Sequence, residues 1–127
     1  MRLLIDTNRY SDMDAGDPAV VERFESVSEL WLPLVVLGEL FAGFELGTLP
    51  EKNEQQLDDF LSKPRVGILF PTQLTARRYG ELFSILRRQG TPIPTNDIWI
   101  AAQALEHGLT LDTRDSHFQH VPGLKLA

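Results

Sequence analysis

The 127-residue sequence contains no cysteine, which excludes disulfide staples and thiolate zinc sites together. It also has no apolar run of membrane-spanning length. The longest, residues 30–37, is interrupted by Pro33 and falls far short of the roughly 20 residues a span needs. Met1-Arg2 leads straight into a short strand pattern rather than a signal peptide, so the expectation is a cytoplasmic protein with no membrane segment. An excess of basic residues is missing too: the formal net charge of −6 argues against a protein that simply coats nucleic acid. Internal repeats, low-complexity tracts and linkers are absent, and residues 1–127 read as one domain long enough to bury a core.

The charge that is present is unevenly placed. Residues 1–60 carry 13 acids and 4 bases, whereas residues 61–127 carry 5 acids and 8 bases. The second half is therefore the one suited to a polyanion, with Arg77-Arg78 and Arg87-Arg88 as its densest basic pairs, although such pairs also suit a solvated helix face.

Apolar patterning alternates strand and helix. Residues 2–6 form a short apolar run typical of a buried strand. A helix opens at Pro18 after Asp17 and continues through Val20, Val21 and Phe24; residues 29–32 form a second strand closed by Pro33. Helices are expected over 35–46, stopped by Gly47, and over 51–62, halted by Pro64. Residues 66–70 read as a third strand. A long helix over 72–88 follows, with Leu74, Tyr79, Leu82, Phe83 and Leu86 as its inward stripe. The prolines of 91–95 impose a rigid extended approach to a helix over 97–107, capped by Thr95 or Asn96 and ended by Gly108. A fourth strand over 109–113, a turn over 115–120 and an edge strand over 123–127 complete the chain. Trp31, Trp99, Ile100 and Leu105 read as core, and His107, His117 and His120 as surface or helix-end residues. This alternation implies an α/β/α three-layer fold around a mostly parallel sheet of four to five strands, whose functional crevice lies beyond the strands' carboxyl ends.

Four acids stand where an isolated carboxylate is poorly placed: Asp6 closes the first strand, Glu39 interrupts an apolar helix, Asp97 opens another, and Asp115 follows the fourth strand. Burying an unpaired charge costs several kcal/mol, roughly, after relaxation. Each has an ordinary alternative. Asp6 could cap a helix or turn, Asp97 could meet a helix dipole, Glu39 could pair with a buried arginine, and Asp115 could belong to a turn. Should the fold bring the four together, divalent cations become the natural counter-charge and a metal-dependent enzyme the natural reading.

The segments Leu4-Ile5-Asp6-Thr7-Asn8, Val36-Leu37-Gly38-Glu39-Leu40, Asn96-Asp97-Ile98-Trp99-Ile100-Ala101-Ala102 and Thr113-Arg114-Asp115 with Phe118 together resemble the four signature segments of PIN domains. More closely they resemble the VapC-type toxins of bacterial toxin–antitoxin pairs, over essentially the whole chain. The resemblance implies a Mg²⁺- or Mn²⁺-dependent endoribonuclease whose metal-binding and catalytic set is Asp6, Glu39, Asp97 and Asp115. It further implies that Thr7, Asn8 and Thr113 support that set by hydrogen bonding. A cognate antitoxin is implied as partner, seated in an apolar groove, together with a homodimer and a toxin–antitoxin hetero-oligomer; exposed members of Phe41, Phe44, Tyr79 and Phe83 are candidates for either contact.

Hard oxygen donors suit Mg²⁺ or Mn²⁺, and the resemblance implies that metal-activated water, rather than the ribose 2′-hydroxyl, attacks and leaves 5′-phosphate and 3′-hydroxyl ends. Arg114 is the foremost candidate for an RNA phosphate contact, unless it pairs with Asp112 or Glu39; Arg9 is the second. Asp112 departs from the family pattern, which is apolar there, and is expected to take a solvent-facing place at the strand end rather than extend the acidic cluster. Two other classes compete with the nuclease: a catalytically weak scaffold acting through its antitoxin partner, and an aspartyl-phosphate enzyme or receiver domain. The latter is disfavoured because no Asp-x-Asp pair follows the first strand.

Overall fold

A computed structural model describes all of residues 1–127. Four parallel strands, β1 (Arg2–Ile5), β2 (Glu29–Pro33), β3 (Val66–Leu69) and β4 (Thr110–Asp112), form one sheet in the order β3-β2-β1-β4. Leu3, Leu4 and Ile5 are wholly buried, the mark of a central strand covered on both faces. Register pairs Leu3 with Leu30 on one side, and Leu4 with Leu111 and Ile5 with Asp112 on the other.

Six helices connect and cover the strands: α1 (Thr7–Asp14), α2 (Pro18–Ser26), α3 (Leu34–Leu46), α4 (Pro50–Leu61), α5 (Gln73–Gln89) and α6 (Thr95–His107). α1 packs on α2 and α3, and α3 on α4, while α5 packs on α6. Chain order runs from β1 through β2 to β3 in one direction across the sheet and then jumps back to β4. With right-handed crossovers this places α1–α4 and α5–α6 on opposite faces and puts the topological switch between β1 and β4. No helix is long and apolar enough to cross a membrane.

Local chemistry sets the element ends. Asp17 accepts hydrogen bonds from the amides of Ala19 and Val20, with Pro18 opening α2. At α5, Thr72 and Thr75 form a reciprocal cap, and Gly90 ends the helix in the left-handed conformation at φ 75°. Tyr79 and Trp99 stack with ring centroids 4.5 Å apart, locking α5 to α6. Trp31 lies across Gly67 of the neighbouring strand so closely that a Cβ there would come within 2.7 Å of the indole.

Four expectations change. Residues 7–14 form a helix that the periodicity did not announce, because Thr7–Asp14 buries only Tyr10 and is held by its cap and by tertiary contact. The inward stripe of α5 is Thr75, Leu82 and Leu86, with Tyr79 half-buried, whereas Leu74 and Phe83 are exposed. Polar Thr75 takes the inward position because its hydroxyl donates to Glu106 Oε1 at 2.6 Å. α6 starts at Thr95 with Pro94 in the cap position, so neither Thr95 nor Asn96 caps it. The expected edge strand over 123–127 reduces to a single parallel bridge between Leu111 and Leu126.

Candidate active site

β1 ends at Ile5 and Asp6 turns the chain into α1. Its Oδ1 accepts from the Thr7 amide at 2.8 Å, which makes it the N-cap of that helix. The cap role engages one oxygen only. Oδ2 accepts from the Thr113 hydroxyl at 2.7 Å and from Asn8 Nδ2 at 3.1 Å, tying the end of β1 to the segment after β4. Thr113 Oγ1 in turn accepts from the Asp115 amide at 3.0 Å, and Asn8 Oδ1 accepts from the Arg114 amide at 3.2 Å. Thr7, Asn8 and Thr113 thus form a hydrogen-bonded frame joining the two strand ends.

Asp97 lies in the first turn of α6 and Asp115 caps the 3-10 helix Ser116–His120. Both arrive at the crevice held by Asp6. Asp97 is only 9 % exposed, and its carboxyl is held above the ordinary carboxylate range, first by burial and then by the negative charges of Asp115 and Asp6; the hydrogen bond from His117 opposes these. Glu39 approaches from α3. It is exposed and accepts the Thr7 hydroxyl at 2.9 Å through Oε1, which links it to Asp6 through one residue.

His117 is exposed, as expected, yet it also touches the acids. Its Nδ1 lies 3.0 Å from Asp97 Oδ2 and 3.0 Å from Asp115 Oδ1, and the ligand atoms of Asp97, Asp115 and His117 all lie within 4.8 Å of one another. The sequence signal was faint: an Asp-x-His step directly after a strand end. His120, by contrast, is an exposed residue whose carbonyl accepts from Gln89.

The donor set passes the chemical test for a hard divalent ion. Carboxylate oxygens dominate, one imidazole nitrogen is in reach, and burial together with the neighbouring charges of Asp115 and Asp6 disfavours the ionised Asp97 carboxyl, which a cation would offset.

The arginines are disposed differently from expectation. Asp112 is neither solvent-facing nor part of the acidic cluster. It is fully buried and accepts from Arg9 Nε at 3.0 Å, Arg23 Nε at 2.6 Å and Arg23 Nη2 at 3.1 Å. Arg9 also reaches Asp12 at 3.1 Å, so its charge is directed inward rather than toward an RNA phosphate. Arg114 pairs with Asp12, through Nε to Oδ2 at 3.0 Å and Nη2 to Oδ1 at 3.3 Å, and not with Asp112 or Glu39. The guanidinium in turn holds the Asp12 carboxyl below its usual range.

Comparison with known proteins identifies the family and the fold. Residues 3–124 match the PIN domain family. The chain is 31 % identical over 128 residues to a tRNA(fMet)-specific endonuclease VapC of Shigella flexneri, covering 98 % of this chain and 96 % of that one. It is 30 % identical over 127 residues to ribonuclease VapC4 of Mycobacterium tuberculosis, covering 98 % and 95 % respectively. Among solved structures it superposes on VapBC2 from Rickettsia felis bound to a promoter DNA fragment, with TM-score 0.90, 29 % identity and coverage of 100 % and 98 %. DNA-bound VapBC from Salmonella typhimurium gives TM-score 0.89, 28 % identity and coverage of 100 % and 97 %.

Proposed function

Because this chain belongs to the PIN-domain family and is of the VapC type, we propose that it is a Mg²⁺- or Mn²⁺-dependent endoribonuclease. It acts in the cytoplasm as the toxin of a VapBC-type pair and cleaves tRNA or another structured RNA. The observation that carries this reading is the meeting of Asp6, Asp97 and Asp115 at the carboxyl ends of β1 and β4, with Glu39 tied in through Thr7.

In this reading Asp6, Glu39, Asp97 and Asp115 hold the ion, and His117 lends a further donor. Once bound, the ion supplies a water that is more readily deprotonated and neutralises charge on the scissile phosphate. Thr7, Asn8 and Thr113 orient the carboxylates, since their hydrogen bonds fix Asp6 and the backbone of Asp115. Attack of water oxygen on phosphorus expels the ribose 3′ oxygen, which takes up a proton, and leaves 5′-phosphate and 3′-hydroxyl ends.

Control by a cognate antitoxin is supported by the VapBC complexes among the solved relatives. Leu34 and Phe41 are exposed on α3, the helix that carries Glu39. An apolar antitoxin segment seated there would lie beside the acids. The same exposed residues suit a homodimer contact.

Purified, antitoxin-free protein is incubated with total cellular RNA and with initiator tRNA, in Mg²⁺, in Mn²⁺ and in EDTA, beside Asp6→Asn. Discrete cleavage that requires metal and disappears in the variant is the expected result. Cleavage that persists in EDTA or in Asp6→Asn would remove the metal reading. Absence of any cleavage, with antitoxin binding intact in Asp6→Asn, would favour the catalytically weak scaffold.

A further inference from the structure

Next to the acids, and sharing Thr113 and Asp115 with their network, lies a polar cavity of about 220 Å³ bordered also by Arg114, Ser116, Gln119 and Leu126. We propose that this cavity is the subsite for one unpaired nucleotide adjacent to the scissile phosphate and that Gln119 reads its base. The inference rests on the ribonuclease reading and specifies its substrate selection.

Position comes first. Asp115 borders the cavity and also belongs to the Asp97–Asp115–His117 group, so whatever fills the cavity is a direct neighbour of the reacting bond.

Charge then decides what kind of group fits. Asp115 stands on the cavity wall, and the one cation there, Arg114, is already paired with Asp12 through two hydrogen bonds. Pairing with Asp12 offsets the Arg114 charge and disfavours the wall as a phosphate site. A neutral polar group is the compatible occupant, and the volume suits a single nucleobase rather than a folded RNA element.

The wall also has the parts that base recognition uses. Two bonds to Asp12 hold the Arg114 guanidinium in a fixed plane, with its side chain 58 % exposed and Nη1 without a protein partner. A guanidinium plane held in this way is a stacking platform for an unpaired base. Leu126, 42 % exposed, adds apolar surface. Gln119 and Ser116 stand on the 3-10 helix with exposed side chains that make no hydrogen bond within the chain. The Gln119 amide offers a donor and an acceptor side by side, which matches a base edge with the complementary pair, the adenine N6–N7 edge being the type case. Both residues being exposed, substituting them leaves the core untouched.

The test has two arms. In the first, wild type, Gln119→Ala and Gln119→Glu cleave an RNA hairpin with a randomised single-stranded loop in Mg²⁺, and the new ends are sequenced. In the second, which needs no cleavage, the same changes in an Asp6→Asn background select from a randomised single-stranded RNA pool by binding. Wild type should prefer one base at a single position flanking the cut by on the order of tenfold. Gln119→Ala should flatten that position alone. Gln119→Glu, which offers only acceptors when ionised, should move the preference to a base with a donor edge. Cleavage with a base profile unchanged by either substitution would overturn the inference while leaving the ribonuclease intact. A shifted binding preference without any cleavage would show that Gln119 reads a base but overturn its placement beside a scissile bond, together with the ribonuclease reading. No base preference in wild type, in either arm, would overturn the inference.

Discussion

Replacing Asp112 with alanine tests the most unusual feature of this fold, a carboxylate under the active site that bridges two arginines. Asp112 is 0 % exposed and accepts three hydrogen bonds, one from Arg9 and two from Arg23, whose side chains are 20 % and 28 % exposed. Removing one partner of a buried ion pair costs about 3–5 kcal/mol, because the remaining charge is left desolvated. Both guanidiniums keep access to water and can rehydrate in part, so the lower end applies, about 3 kcal/mol. With a urea dependence of about 1.5 kcal/mol per M, the midpoint of unfolding should fall by roughly 2 M. The companion variant Asp112→Val with Arg9→Met and Arg23→Met removes all three charges together and suits the strand; it should recover most of the loss. Urea unfolding followed by tryptophan fluorescence and far-UV circular dichroism reads both. A cost below about 1 kcal/mol for Asp112→Ala is what an exposed pair is worth, and would refute the assignment of Asp112 as a buried bridge. Failure of the triple variant to recover would show that the pair contributes more than its apolar replacement.

Asp97→Asn should reduce cleavage by at least on the order of a hundredfold, yet raise the thermal midpoint of metal-free protein, since burial and the charges of Asp115 and Asp6 disfavour the ionised form; a strongly lowered midpoint would count against the cluster. The pH dependence follows with a definite sign. A carboxyl raised in the native state binds a proton that the unfolded chain has released, so metal-free stability falls as pH rises from the ordinary carboxylate value through the raised one. The stability gap between Asp97→Asn and wild type should therefore widen over that window and then level off; a gap independent of pH would contradict the shift. Mg²⁺ should raise the melting temperature of wild type by mass action but not that of the Asp6→Asn/Asp97→Asn double variant, and equal shifts in both would put the ion elsewhere. Gly67→Ala, whose Cβ would sit 2.7 Å from Trp31 Cζ3, should cost about 1–2 kcal/mol and change the Trp31 fluorescence, and an unchanged urea midpoint would show that the indole swings aside freely.

Much of this protein was written locally. Apolar runs at residues 2–6, 29–32 and 66–70, separated by helical patterns opening at Pro18, Val35 and Thr72, specify parallel strands and their connections, and the structure keeps each within a residue. Asp6 and Asp115 are legible because each stands at or just beyond a strand end, which in such folds faces the crevice. Local patterning failed where contacts distant in sequence decide. Helix Thr7–Asp14 has almost no apolar stripe, and Thr75 faces inward only because Glu106 waits 31 residues away. Asp112 looked like a solvent-facing strand end until Arg23, 89 residues earlier, was brought against it. His117 is a surface residue, as its sequence suggested, and gains its carboxylate partner only because α6 places Asp97 beside it. Periodicity and capping are properties of a few neighbouring residues, so sequence alone determined the four strands, the helices from α2 onward, their order and the strand ends at which the acids stand. The pairing of charges depends on which strand ends meet, and that was decided only when the chain crossed back from β3 to lay β4 against β1.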